Sequence, residues 1–394
     1  YDQVLKEHIR YDERNVKGDV QMATMKLTNR QQVEDFIRGC TMFATGGGGL
    51  PKNGIRSLMD EIEAGRSVGW VDVNEITDDM TSCCPFLMGS IAPHNEDTIK
   101  EMASYDMTPE TSVNLEGDRM AKAVLALQEY TGKKFDVIVP IELAGANTPA
   151  AMAAASKLGI VTVDGDYTGR AIPEIVQITF NYNGHCLTPI ASVDEWDNEC
   201  IIKRANNPRT VEHIGKLISV AGYGLAGQAG MALDGKNTRD TVIAGTLSEC
   251  YEAGKCMREA KEAGKDVVTE LLAKFGGYEL GRGTITVKDD YDAAGYYWGT
   301  VTVDCGDKEL KYWFKNENHV VWKNGKPYVT SPDIIAAIDV ETGEPVPNPL
   351  SYVGQKVALI AMRCKPQQQN AELLMPRYFG FDIDHVPVDE VMGK

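Results

Sequence analysis

The 394-residue chain is 43% apolar and 25% charged, the composition of a soluble globular protein with room for about two domains. A net charge of −17 excludes a nucleic-acid partner in the absence of any basic stripe, and no apolar run approaches the roughly 18 residues of a membrane span. Nine cysteines scattered without a C-x-x-C pair read as reduced thiols, which with the lack of a signal peptide's apolar centre predicts a cytoplasmic protein without structural zinc.

Residues 1–27 are charged and lack apolar periodicity, so they are expected to form an extension outside the globular part. From Thr28 or Asn29, either of which can cap a helix, Val33, Phe36 and Ile37 recur at helical spacing up to the run Thr45-Gly46-Gly47-Gly48-Gly49-Leu50-Pro51. Four consecutive glycines are costly to order and let backbone approach a neighbour closely. Ile55, Leu58, Met59 and Ile62 then place them at the start of a helix, where free N–H groups favour an anion. A tight turn packed against a helix serves the glycines as well. Neither the dinucleotide nor the phosphate-loop spacing is met.

Strands are expected at 68–73 and 83–89, a helix at 120–130, a strand at 135–142, a helix of small residues at 148–158 and a strand at 159–164. That alternation predicts a parallel sheet with a site at the carboxyl ends of its strands. Beyond residue 190, helices over 210–220 and 240–263 bridge to a β-rich tail from Gly283, read as an antiparallel sandwich or barrel, with a hairpin turn at Asn324-Gly325. The fold class is therefore α/β: a parallel-sheet N-terminal domain over 28–198 and a β-rich C-terminal domain over 199–390.

The residues after the strands supply the candidate site. Glu142, Asp164, Asp166 and Glu174 form an acidic set that can hold a divalent metal, share a proton or act as general base; Arg170 lies among them. Capping of neighbouring amides by the aspartates is the structural alternative. Gly46, Gly47, Gly48, Gly49, Glu96 and Asn147 are candidate substrate contacts, and Asn147 equally suits a helix cap. His94, His185 and the cysteines lack ligand or nucleophile spacing and read as structural.

In combination these segments resemble the S-methyl-thiohydantoin desulfurase family, DUF917. The resemblance is carried by Thr45 to Gly49, Met88-Gly89 followed by Glu96, Glu142 to Asn147, and Asp164-Gly165-Asp166 with Gly169-Arg170-Ala171 and Pro173-Glu174. In the second half it is carried by Arg282-Gly283-Thr284, Phe314 with Asn316-Glu317, Pro332 to Ile335, Thr342 to Pro345, and Pro376-Arg377 with Phe379 to Asp382. The chain departs from the family pattern at Tyr167, Thr168 and Ile172.

The resemblance implies hydrolysis of a 2-methylthio-imidazolone to a hydantoin with release of methanethiol. A carboxylate would activate water, Arg170 would stabilise developing charge, and the glycines would seat a ring carbonyl or carboxylate. On that reading Asp166→Asn abolishes turnover while the fold survives. The partners it implies are a small cyclic substrate, a further copy of the chain in a homo-oligomer, and a hydantoinase-like protein. The alternative is a non-catalytic subunit of a hydantoinase- or oxoprolinase-like complex.

Overall fold

Asn29 caps the first long helix by accepting the Gln32 amide at 3.0 Å. The fold is a computed structural model describing residues 24–90, 94–113 and 115–393, so the expected N-terminal extension lies, up to residue 23, outside the described residues. In chain order the first part contains β1 (Met25–Leu27), α1 (Arg30–Phe43), α2 (Pro51–Glu63), β2 (Val68–Trp70), β3 (Thr81–Met88), α3 (Glu96–Ser104), α4 (Glu116–Thr131), β4 (Val137–Ile138) and α5 (Asn147–Leu158). There follow β5 (Val161–Thr162), β6 (Gly165–Asp166), α6 (Thr179–Tyr182), β7 (Ile190–Val193), β8 (Glu199–Ile202), α7 (Pro208–Ala221) and β9 (Ala226–Asp234).

These strands build a six-stranded sheet in the order β5-β4-β3-β9-β7-β8. Only the β3-β4-β5 half is parallel; β9 runs antiparallel between β3 and β7, so the expected parallel sheet is a mixed one. The reason lies in the connections. Helices return the chain after β3 and β4, and β7 keeps their direction; β8 then reverses beside β7, and α7 carries the chain to β9 in the direction of β8, so β9 runs against both β3 and β7. Helices α4 and α5 cover one face through small residues, Ala123, Ala150, Ala151 and Ala154 among them, against Cys83 and Ile138.

The single helix expected over 240–263 is interrupted. α8 (Gly235–Thr241) and α9 (Thr246–Glu262) are separated by β10 (Ile243–Ala244), which pairs with β6, and Gly245 turns the chain at φ 80°. α9, within the expected 240–263 stretch, bridges the two parts together with α10 (Val267–Phe275), a helix the sequence reading did not include: Leu247, Cys250, Met257 and Leu271 share one core with Val33 and Phe36 of α1 and with Ile334, Ile338 and Ile360 of the C-terminal sheet. Close approach of α1 and α9 requires glycine, since a Cβ at Gly39 would lie 1.7 Å from the Cys250 carbonyl oxygen.

The C-terminal part is one curled antiparallel sheet of seven strands. They are β11 (Tyr278–Ala293), β12 (Tyr296–Asp304), β13 (Glu309–Lys315), β14 (Glu317–Lys323), β15 (Lys326–Thr330), β16 (Ile334–Asp339) and β17 (Lys356–Met362), followed by α11 (Val388–Met392). The sheet order is β15-β14-β13-β12-β11-β17-β16. Asn324 and Gly325 both take positive φ in the β14–β15 hairpin, as expected for that dipeptide. No helix among the described residues is long and apolar enough to cross a membrane.

Candidate functional site

The glycine run opens α2, with Gly46, Gly48 and Gly49 at φ 90°, 72° and 85°. Thr45 and Gly46 are pinned to the C-terminal part, their carbonyls accepting the amides of Asn318 (2.8 Å) and Asn348 (2.7 Å), while the Gly48 carbonyl accepts Ala146 N at 3.0 Å. The loop thus ties the two sheets together. Gly48 and Gly49 also face a cavity of about 60 Å³, walled by Met88 and Gly89 at the end of β3, by Glu142, Asn147 and Ile172, by Lys216 of α7, and by Asn316 and Glu317. A water needs roughly 10–15 Å³ of such space, so the cavity admits a small polar molecule.

Glu142 is buried with both oxygens engaged from the side: Oε1 accepts Asn147 Nδ2 at 2.7 Å and Oε2 accepts the Ile172 amide at 2.8 Å. Asn147 is the first residue of α5 rather than its cap, and its Oδ1 accepts the Leu87 amide at 2.8 Å. It therefore fixes Glu142 against β3. Burial pushes the Glu142 carboxyl up to about 7, the hydrogen bonds opposing it.

Two charged groups that sequence reasoning did not select complete the wall. The β13–β14 turn is a single residue, Asn316 at φ 57°, and it pushes Glu317 against the glycine loop: a Cβ on Gly47 would lie 1.9 Å from Glu317 Oε1. Glu317 is 1% exposed, and its Oε2 has no hydrogen-bond partner among the described residues. Burial, reinforced by Glu142, raises its carboxyl well above the ordinary range. Lys216 is also buried and donates only at long range, to the carbonyls of Gly295 (3.3 Å) and Gly89 (3.5 Å), with its ammonium 4.3 Å from the centre of the Tyr296 ring. Burial lowers its pKa.

The remaining predicted residues lie elsewhere. Asp166 does not line the cavity: Oδ2 accepts the Thr168 and Gly169 amides (2.9 and 2.8 Å) and the Thr168 hydroxyl (2.8 Å), and Oδ1 accepts the Thr246 hydroxyl (2.8 Å). Burial raises it to about 6 against those donors. Asp164 accepts the Ser248 amide at 3.0 Å and bonds its hydroxyl, bracing the first turn of α9. Arg170 is a saturated strut behind the loop, donating at 3.0 Å to Ala171 O, Pro332 O, Asp333 O, Asn318 O and Thr45 Oγ1. Glu174 is paired with Lys315 and accepts the Tyr378 hydroxyl at 2.6 Å. Glu96 opens α3 at the surface, exposed.

The four acids thus have separate partners. Among the described residues no three His, Cys, Asp or Glu side chains converge as metal ligands would. All nine cysteines are free thiols.

The fold and cavity define a two-part α/β protein that encloses a small acid-walled pocket where its parts meet. The chain belongs to the S-methyl-thiohydantoin desulfurase (DUF917) family: residues 31–204 match the S-Me-THD-like N-terminal domain and residues 205–388 the S-Me-THD-like C-terminal domain. Membership supports a desulfurase-like function. An X-ray crystal structure of a protein from Chromobacterium violaceum is similar over 93% of this chain and 100% of its own, with a TM-score of 0.74 at 22% identity, a likeness of fold. No curated protein matches the sequence.

Proposed function

We propose that the chain hydrolyses the carbon–sulfur bond of an S-methyl-thiohydantoin-type ring, giving a hydantoin and methanethiol. The observation that carries this reading is Glu142, a buried carboxyl oriented by Asn147 and Ile172 on the wall of a cavity that admits a small polar molecule. A carboxyl raised to about 7 is poised to take a proton from water near neutral pH. Attack falls on the amidine-like carbon bearing sulfur. Lys216 supplies positive potential to the same cavity, where charge developing on a ring oxygen or nitrogen needs it. The roof formed by Gly48 and Gly49 brings backbone within reach of the ring. On this reading water activation rests with Glu142, Arg170 braces the glycine loop through Thr45, and Asp166 braces the 168–169 turn and Thr246.

The test is incubation of the purified protein with hydantoins, 2-thiohydantoins and 2-methylthio-imidazolones, following ring absorbance and free thiol. Thiol release is expected, and Glu142→Gln is expected to lower kcat by about 10²–10⁴-fold with the fold retained. A chain inert toward the whole panel but activating a hydantoinase-like protein would replace this reading with that of an accessory subunit.

A further inference from the structure

We infer that Glu317 is the second catalytic carboxyl of the cavity, giving a proton to the ring nitrogen while Glu142 takes one from the attacking water. The inference rests on the desulfurase reading and adds to it the group that supplies the acid. Three features of the geometry point to it. Glu317 shares the cavity wall with Glu142. Its Oε2 is buried without a partner, a costly state for an ionised carboxylate, which is normally surrounded by donors, and a far cheaper one for a neutral acid. And local geometry seats the carboxyl against the loop: the single-residue turn at Asn316 places Glu317 there, and glycine at 47, by lacking a side chain, makes room for Oε1.

The charges that bear on Glu317 are Glu142, Arg170 and Lys216. Arg170 spends its donors on carbonyls and the Thr45 hydroxyl, and Lys216 on the carbonyls of Gly89 and Gly295, so neither is hydrogen-bonded to the Glu317 carboxyl. Two buried carboxyls on one cavity wall resist double ionisation and start the cycle with one proton between them.

The proton balance then closes. In the first step water's oxygen bonds the carbon bearing sulfur and Glu142 takes the water proton. The carbon–nitrogen π pair moves onto the ring nitrogen, which takes the Glu317 proton. The intermediate carries hydroxyl and methylthio groups on one tetrahedral carbon. In the second step Glu317, now ionised, removes the hydroxyl proton as the carbonyl forms. The carbon–sulfur bond breaks with its electron pair on sulfur, and Glu142 returns its proton to sulfur as methanethiol leaves. Both carboxyls end as they began, and no other reactant is consumed.

The experiment combines infrared difference spectroscopy of the free protein at neutral pH with pH–rate profiles of thiol release. A protonated-carboxyl band that disappears in Glu317→Gln is expected. That variant is also expected to lose turnover about 100-fold or more and to lack the alkaline limb of the wild-type profile, since the rate falls where the acid ionises. Gly47→Ala, which leaves Glu317 in the chain but crowds its carboxyl, is expected to lower kcat with melting close to wild type. Absence of the band, or a Glu317→Gln variant within about threefold of wild type with its alkaline limb intact, overturns the inference. Silence of the wild-type protein toward every ring overturns the desulfurase reading and the ring-nitrogen step with it, while the band separately decides whether Glu317 holds the proton.

Discussion

Arg170 and Lys216 are both buried cations within the field of Glu317, yet they differ in kind. Arg170 donates to five oxygens at 3.0 Å, and Asp166, four residues earlier, accepts from four donors. On the cavity wall Lys216 reaches two carbonyls at 3.3 Å or more, and Glu317 leaves an oxygen bare. Buried polar groups that are fully satisfied specify and rigidify a fold; those left short of partners cost stability and are retained where a ligand completes them. The difference separates Arg170 and Asp166 from the cavity wall, although buried atoms such as His319 Nε2 and Gln228 Oε1 also lack partners among the described residues away from that wall.

Removing a saturated group tests that separation most severely. Arg170→Met strips hydrogen bonds from four backbone carbonyls and Thr45, at about 1–3 kcal/mol for each group left bare, against a total stability of about 5–15 kcal/mol. Little soluble folded protein is expected, and a soluble variant melting like wild type would break the comparison. Lys216→Met should behave in the opposite manner. Its melting temperature should stay within a few degrees of wild type, while thiol release falls by about tenfold or more, because a buried charge with few partners contributes little to stability.

A subtler effect appears in stability against pH. The folded pKa of Glu142, about 7, lies above its ordinary 4.5, so the neutral form is favoured in the folded state. That contribution is full below the ordinary range and is lost as pH rises through about 7. Glu142→Gln, permanently neutral, should therefore gain on wild type progressively between about pH 4.5 and about pH 7 and keep a constant advantage above that; a difference that stays constant across this window would show that folding leaves the Glu142 carboxyl unshifted. The smallest effect is expected at Glu96. Exposed at the start of α3, Glu96→Ala should change unfolding free energy by no more than about 0.5 kcal/mol and leave turnover unaltered.

Much of this architecture was legible in residue order. The glycines announced a loop at a helix start, and strand-end logic brought Glu142 and Asn147 forward together. Strand direction was less accessible, because β9 enters the first sheet from beyond α7 and nothing local in 226–234 reveals its neighbours. Lys216 was hidden by a helix whose buried face is mixed: α7 buries Glu212, Lys216 and Ser219 beside Val211 while Leu217 and Val220 are 53% and 51% exposed, so apolar periodicity alone does not place Lys216 inside. Asn316-Glu317 was visible as part of the family resemblance, but its place on the cavity wall was hidden by Lys315-Asn316-Glu317-Asn318-His319, a polar run between two apolar strands that reads as a solvated turn. Glu317 is buried because it plugs into the other half of the molecule, a fact of tertiary structure alone.

The course of β9 bears on how the chain reaches its working state. A nascent chain ending near residue 204 holds β3 and β7 with no strand to join them, two bare edges prone to pairing with other chains. Even after β9 (Ala226–Asp234) arrives, the pocket lacks one side until the β13–β14 hairpin (Glu309–Lys323) docks. A closed pocket is thus among the last features the polypeptide acquires, and contacts this distant in sequence make for slow, all-or-none assembly. Separately expressed halves should need each other to fold, so that recombining them restores structure and pocket in a single cooperative event.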